Sequence, residues 1–288
     1  MLVHAHLRAA PELAAGVPSL FGAKSAMAAT QAAWRFLNNQ RVRLSELVAP
    51  LRDVGRERVA QAQARFVLLV HDWSKLTFDQ HRRKRDLVQL THAVDVGYEL
   101  TTALLVSADD GRPLAPMEMH LRAGEGVLST RSPRPRAEPH LEQVAATMQA
   151  AETWGLSKPL VHVIDREADS VDHYRRWDAA GAKFLIRADN RRVKWNGESC
   201  LLSQIREQLM RQKAFRCVGD AAYHGRPARL WTVETEVVLY RPAKKNVRGK
   251  RYELPGCELS LRLIFVQLRT KQGKVLAEWM LLSNVSRE

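Results

Sequence analysis

Three short apolar runs, separated by helix-like segments, constrain the fold of this chain more than any other feature. They read RFVLLVHD at 65–72, PLVHVID at 159–165 and KFLIRA at 183–188. Runs of this length that are rich in Val, Ile and Leu are typical of buried strands. Residues 98–121 have the pattern of a hairpin, and residues 138–156 and 166–181 have helical periodicity. This order of elements predicts a mixed α/β sheet.

Helical patterns precede these strands, and strand-like patterns follow them. Residues 24–64 are rich in alanine with helical spacing, and we expect Pro50 and Gly55 to interrupt the helix. Beyond residue 190, long and partly alternating runs predict a β-rich region with one helix at 201–212. The basic segment AKKNVRGKRY at 243–252 is expected to be a turn between these strands.

The net charge points to the class of partner. Lys and Arg outnumber Asp and Glu by 45 to 31, which gives a net charge of +14. Such a surplus favours a polyanionic partner, and nucleic acid is the leading candidate. A membrane is the alternative, but no apolar run approaches the roughly 18 residues of a spanning helix. Three widely spaced cysteines without a CxxC pair indicate free thiols, and the N-terminus lacks a secretory signal, so we expect a cytoplasmic protein.

Two of the predicted strands end in an aspartate, Asp72 and Asp165. If these strands are neighbours, both carboxylates emerge at one edge of the sheet and can share Mg²⁺ or Mn²⁺. Two such ions can hold the attacking and leaving oxygens of a phosphoryl transfer. Each aspartate taken alone is more often a turn or cap residue. The basic runs at 81–85 and 131–136 equally fit solvated loops.

The run Asp165-Arg166-Glu167-Ala168-Asp169, with Tyr174 shortly after it, resembles the second acidic motif of bacterial insertion-sequence transposases of the IS-four group. Three other stretches agree with this family in order. They are ATQAAWRFLNNQRV at 29–42, FVLLVHDWSKLTF at 66–78 and EWMLLSNV at 278–285. The resemblance covers most of residues 24–285.

The resemblance implies a DDE enzyme with an RNase H-like mixed sheet flanked by helices. It divides the chain into an N-terminal helical DNA-binding segment (1–63), the first part of the catalytic core (64–190) and a late β-rich insertion (191–288). It implies that Asp72 and Asp165 are catalytic and bind Mg²⁺ or Mn²⁺, and that the double-stranded DNA of transposon ends is bound, with the protein a homodimer associated with the nucleoid. The residues expected to contact DNA are Arg187, Trp279, Arg191, Arg192, Lys194, Lys244 and Lys245, and in this family the tryptophan stacks on a flipped base.

The chain departs from the family at the third acid. In the family this acid is a Glu in a Tyr…Arg…Glu…Lys motif on a later helix, after the strand that EWMLLSNV resembles. Glu288 follows that strand too closely and lacks the motif's other members. We therefore expect a transposase-type chain that is truncated at its C-terminus and inactive as written. The alternatives are a non-catalytic DNA-binding remnant and an unrelated RNase H-like nuclease.

Overall fold

A computed structural model describes residues 26–80, 83–131, 139–247 and 250–286. The helices are α1 (Ala26–Leu37), α2 (Leu44–Gln61), α3 (His140–Ala151), α4 (Val171–Ala179) and α5 (Leu202–Arg211). The first strands are β1 (Val67–Thr77), β2 (Val88–Gln89), β3 (Val96–Ser107), β4 (Pro113–Ala123), β5 (Gly126–Ser129), β6 (Leu160–Ile164) and β7 (Lys183–Arg187). The later strands are β8 (Arg192–Trp195), β9 (Glu198–Leu201), β10 (Arg216–Tyr223), β11 (Arg226–Leu239), β12 (Ala243–Val247), β13 (Lys250–Leu254), β14 (Leu259–Arg269) and β15 (Val275–Ser283). No helix in these ranges combines the length and apolarity needed to cross a bilayer.

In the described ranges, thirteen strands form one mixed sheet with the order β5-β4-β3-β1-β6-β7-β15-β14-β11-β8-β9. Strands β2 and β10 join it by pairing with β3 and β11, whereas β12 and β13 form a separate hairpin. Strands β1, β3 and β4 are an antiparallel meander, and β6 and β7 run parallel to β1. This is the strand order of an RNase H-like sheet, so the predicted fold class is confirmed. Because β15 pairs with β7, the β-rich region continues the same sheet.

Helix α2 runs unbroken through Pro50 and Gly55, so the predicted interruption is wrong. Proline removes one helical hydrogen bond, but buried side chains on the same helix, such as Val48 and Val59, fix it to the sheet. Gly55 permits a close approach to β4, because a Cβ there would lie 2.7 Å from the sulfur of Met117. Tertiary packing therefore outweighs the local helix-breaking preferences.

The buried core lies on one face of the sheet. On β1 this face presents Val67 and Leu69, which are fully buried in one cluster with Val59 of α2. On β7 it presents Phe184 and Ile186, which are fully buried in a second cluster with residues of α3, α4 and α5. Each side chain buried here removes apolar area from water, worth about 25 cal/mol per Å².

The opposite face of the same strands is largely apolar, and most of its residues are only half-buried. Its members alternate with the buried residues along each strand. They include Leu68, Val70, Leu104, Val106, Val163, Leu185 and Leu281. In the described ranges, the two buried clusters contain residues of helices α2 to α5 and none of this set. This surface, the half-exposed face, therefore has room for a further packed element.

Two further local predictions were wrong. Residues 166–181 do not form one helix, because a 3₁₀ turn at Arg166–Ala168 is followed by an extended break before α4 begins at Val171. The basic segment at 243–252 forms the strand pair β12–β13 rather than a simple turn. The pattern at 166–181 predicted the right type of element, and the pattern at 243–252 predicted the right position of a chain reversal. In both places tertiary contacts changed the extent of the element.

Candidate metal and nucleic-acid site

Asp72 and Asp165 lie side by side at one edge of the sheet. Strands β1 and β6 are parallel, and the last paired residues in their register are His71 and Ile164. One residue further along both strands places the two aspartates next to each other, on the same face by the alternation of strands. Both side chains are exposed. Two exposed carboxylates on one face are a donor set that suits a hard divalent cation, which keeps several water ligands.

Arg187 joins the two aspartates from the end of β7. Its Nη1 lies 3.4 Å from Oδ1 of Asp165. Asp72 accepts a hydrogen bond of 2.9 Å from the hydroxyl of Ser74. Exposed ion pairs of this kind contribute only about 0–1 kcal/mol. The carboxylates therefore remain available to a cation, and the guanidinium remains available to an anion.

Trp279 lies beyond the same edge. Strands β15 and β7 are antiparallel, with Leu281 opposite Arg187. Trp279 precedes Leu281 by two residues, so it is on the same face and one step further out. Its side chain is half-buried. The fold thus brings the aspartates, Arg187 and Trp279 together along one edge of the sheet.

A third acid does not join the pair within the part of the chain that the structure describes, where no cluster of three His, Cys, Asp or Glu residues has metal-binding geometry. Glu278 is held by Arg206 and Gln267 and faces away from Trp279. Glu288 lies outside the described residues. The site is therefore a pair of carboxylates.

Asp169 organises the segment behind Asp165. Its carboxylate is only 2% exposed and is paired with the guanidinium of Arg191. It also accepts hydrogen bonds from the Tyr174 hydroxyl and, at 2.6 Å, from the backbone N–H of Asp189. Burial and then the charge of Asp169 raise the pKa of Tyr174 well above its ordinary value. No sequence pattern assigned this role to Asp169, although its conjunction with the later tyrosine was a signal for it.

The predicted DNA contacts near β8 have different environments. Arg191 is half-buried and committed to Asp169, so it supports the fold of this segment rather than offering a free cation. Lys194 is in an ion pair with Glu258. Arg192 is exposed, and in the described ranges it has no acidic partner. Of these three, Arg192 is the cation best placed to bind a phosphate.

Other predicted basic contacts lie outside the described residues. The side chains of Lys244 and Lys245 belong to this group, although their backbone forms part of β12. So do residues 81–82 of the run at 81–85. Residues 132–136 of the other basic run are also outside the described residues.

A histidine pair lies on the buried face of the same two strands. Nε2 of His71 is 3.0 Å from Nδ1 of His162, and each residue is 4% exposed. Burial lowers the pKa of His162 to about 4 and, together with the charge of His162, lowers that of His71 well below its ordinary value. Both rings are therefore neutral at pH 7 and act as packed polar groups. The sequence analysis did not single out this pair.

Comparison with models of known protein families gives no match, and no curated protein sequence matches significantly. Among solved structures, the piggyBac transposase in a synaptic complex with hairpin DNA aligns with 85% of this chain at 12% identity and a TM-score of 0.30. This chain spans only 39% of that transposase. Endonuclease V of Ciona intestinalis, in complex with an inosine-containing DNA, aligns with 74% of this chain and 84% of its own at 11% identity and a TM-score of 0.28. Likenesses this distant carry no weight for function, which has to be supported by the chain's own residues.

Proposed function

We propose that this chain is a DNA-binding protein of the insertion-sequence transposase type, with an incomplete DDE site at Asp72 and Asp165. The supporting observation is the parallel register of β1 and β6, with one exposed aspartate following the last paired residue of each. The net charge of +14 supports a nucleic-acid partner. The proposal extends to a DNA-binding role for residues 1–63, a core at 64–190, an insertion at 191–288 and a homodimer on DNA.

The two aspartates would hold Mg²⁺ or Mn²⁺ through their carboxylate oxygens. When bound, such an ion lowers the pKa of a water ligand and neutralises charge on a phosphodiester. Arg187 balances the charge of Asp165 before DNA arrives and can then donate hydrogen bonds to a phosphate at the same edge. Trp279 offers an aromatic surface for an unpaired base.

A non-catalytic DNA-binding remnant is the second candidate. The observation that favours it is the lack of a three-acid cluster in the described ranges. Two carboxylates supply less charge and fewer ligands than three, and losing one member of a catalytic set typically costs orders of magnitude in rate. Both candidates bind DNA, and they differ in whether an added acid restores cleavage.

The experiment for DNA binding is the affinity of a fluorescein-labelled duplex, measured by anisotropy between about 50 and 200 mM salt. We expect a steep linear fall of log affinity with log salt, because phosphate neutralisation releases counterions. Arg187→Gln is expected to reduce the slope by about 0.9, the value for one phosphate. Lys183→Gln, at the other end of β7, is the matched control. A slope near zero in the wild type would show that the basic surplus serves another purpose.

A further inference from the structure

A cavity of about 610 Å³ has Asp169, the last residue of the acidic run, on its wall. This volume is within the range of roughly 300–1,000 Å³ that is usual for ligand pockets. Its walls come from the first turn of α4, the start of β8, the end of β9 and the end of β11. The wall includes Asp169, Arg192, Leu201, Tyr240 and Arg241. Asp72, Asp165, Arg187 and Trp279 do not belong to its wall.

The wall of this cavity is cationic. Arg192 and Arg241 are both exposed, and within the described ranges neither has an acidic partner. The single acidic side chain of the described wall is Asp169, whose carboxylate is already neutralised by Arg191. Two guanidinium groups without an acidic partner among the described residues, both in the wall of one cavity, favour an anionic ligand with several acceptor oxygens.

The hydrogen bonds and the pKa of Tyr240 indicate the same positive electrostatic potential in the cavity. Its hydroxyl shares a hydrogen bond of 2.7 Å with Ser199 and accepts one of 3.2 Å from Nε of Arg241. These contacts, with that of Ser199 the larger, lower the pKa of Tyr240 below its ordinary value. Surroundings that stabilise a negative phenolate oxygen also stabilise a negative phosphate oxygen.

The position of the cavity relates it to the metal pair. Asp169 on its wall follows Asp165 by four residues, and a 3₁₀ turn fills the interval. The cavity wall and the metal pair are thus close along the chain, just after β6. A DNA strand with one phosphate at the metal pair can therefore extend towards the cavity with another.

We propose that this cavity binds a second phosphodiester of the DNA strand whose reacting bond lies at Asp72 and Asp165. The phosphate oxygens accept hydrogen bonds from Arg192 and Arg241, whose planar guanidinium groups match them. This assignment rests on the proposed function, because it adds a contact to the same DNA. It predicts that a strand must reach a minimum length before it engages both Arg187 and the cavity.

The test is a length series of single-stranded oligo-dT of about two, four and six nucleotides, labelled with fluorescein and measured by anisotropy without metal. We expect wild-type affinity to rise once the strand is long enough to span both places. In the double variant Arg192→Gln/Arg241→Gln, the affinity of the longest strand should fall about tenfold, as for loss of charge-assisted hydrogen bonds. Its salt slope should fall by about 0.7, the single-strand value for one phosphate.

Arg211→Gln is the matched control, because this exposed arginine lies about 15 Å along α5 from Leu201. The shortest strand occupies one place at a time, so the double variant should weaken its binding less than that of the longest strand. Equal affinities for the longest strand, with Arg187→Gln still weakening it, would overturn the cavity assignment and leave the proposed function standing. If the wild type binds none of these strands or the duplex, both the assignment and the proposed function fail.

Discussion

The carboxylate of Asp165 is paired with the exposed Arg187, and a metal ion has to compete with this guanidinium for the carboxylate. Arg187 contacts it at 3.4 Å, whereas Asp72 has a neutral hydroxyl as its partner. A divalent ion at this edge must therefore share or displace the guanidinium. The ion pair is weak enough for that exchange. We therefore expect any cation site at the two aspartates to be of low affinity and to depend on Arg187.

For metal binding, we expect Mn²⁺ to bind the wild type at about millimolar concentration. Asp165→Asn should weaken binding about tenfold or more, because it removes both a charge and a ligand. Arg187→Gln should strengthen it, because the competing cation is lost. Paramagnetic broadening during a Mn²⁺ titration is the measurement, with Asp53→Asn on α2 as a control of equal charge. Identical broadening in the wild type and in Asp72→Asn/Asp165→Asn would refute the site.

The buried histidines predict a pH dependence of stability. The folded-state pKa of His162 is about 4, below the unfolded value of 6.5, so the unfolded state binds more protons between these limits. This contribution to stability is complete above about pH 6.5 and is lost as the pH falls towards 4. At pH 5, the protonation of His162 in the unfolded state should by itself lower the free energy of unfolding by about 2 kcal/mol.

The measurement is the free energy of unfolding in urea at about pH 7 and pH 5. His71→Gln/His162→Gln should shrink the difference between the two values, whatever its effect at pH 7. His92→Gln, which changes an exposed histidine, should leave the difference unchanged. A double variant with the full wild-type difference would show that other groups carry the pH dependence.

At the scale of elements, helix α2 depends on its close approach to β4. A Cβ at Gly55 would lie 2.7 Å from the sulfur of Met117 and within 3.4 Å of side-chain atoms of Leu105 and Ala115. A helix-interior glycine normally costs up to about 1 kcal/mol relative to alanine. Its use here indicates that the distance between helix and sheet matters more than helix propensity.

We expect Gly55→Val to lower the free energy of unfolding by about 1–3 kcal/mol through overpacking. Ala60→Val on the exposed side of α2 should change it by only about 0.5 kcal/mol. The double variant Gly55→Val/Met117→Ala should be more stable than the sum of its single changes, because the smaller side chain relieves the contact. Urea unfolding measures all four proteins. Strict additivity would exclude the proposed contact between Gly55 and Met117.

At the scale of the whole molecule, the half-exposed face lies next to the two-carboxylate site, so one added helix could cover the face and complete the site. All the buried clusters lie on the other face, so an apolar surface next to the aspartate edge is left open in the described ranges. A helix that packed there would bury apolar area and bring its own side chains towards Asp72 and Asp165. One acid on such a helix would supply the third ligand.

The 288-residue chain should therefore not nick a plasmid that carries its transposon ends in the presence of Mg²⁺. A chain extended after Glu288 by a helix with the Tyr…Arg…Glu…Lys motif should nick it, and the same extension with Gln in place of that Glu is the matched control. Nicking by the unextended chain that disappears in Asp165→Asn would contradict the prediction. In that case another acid of this chain, such as Glu167, completes the site.

Local pattern was sufficient for most elements, whereas the binding of a metal by Asp72 and Asp165 stays a prediction. The predicted end of the first strand at Asp72 is wrong, because β1 stays paired with β3 as far as Thr77. The apolar runs before Asp72 and Asp165 do form strands, and the turn signal at 109–113 joins β3 to β4. These features depend on side-chain periodicity and turn chemistry, which neighbouring residues determine by themselves. The resemblance to the transposase family added the expectation of an RNase H-like mixed sheet.

Tertiary structure decided the features that depend on distant contacts. Asp169 is buried because Arg191 and the backbone of Asp189, about twenty residues later, reach its carboxylate. The cavity of Arg192 and Arg241 forms because residues about fifty positions apart meet beside α4. Periodicity carries no information about such meetings, since they follow from which strands pair and how helices pack on them.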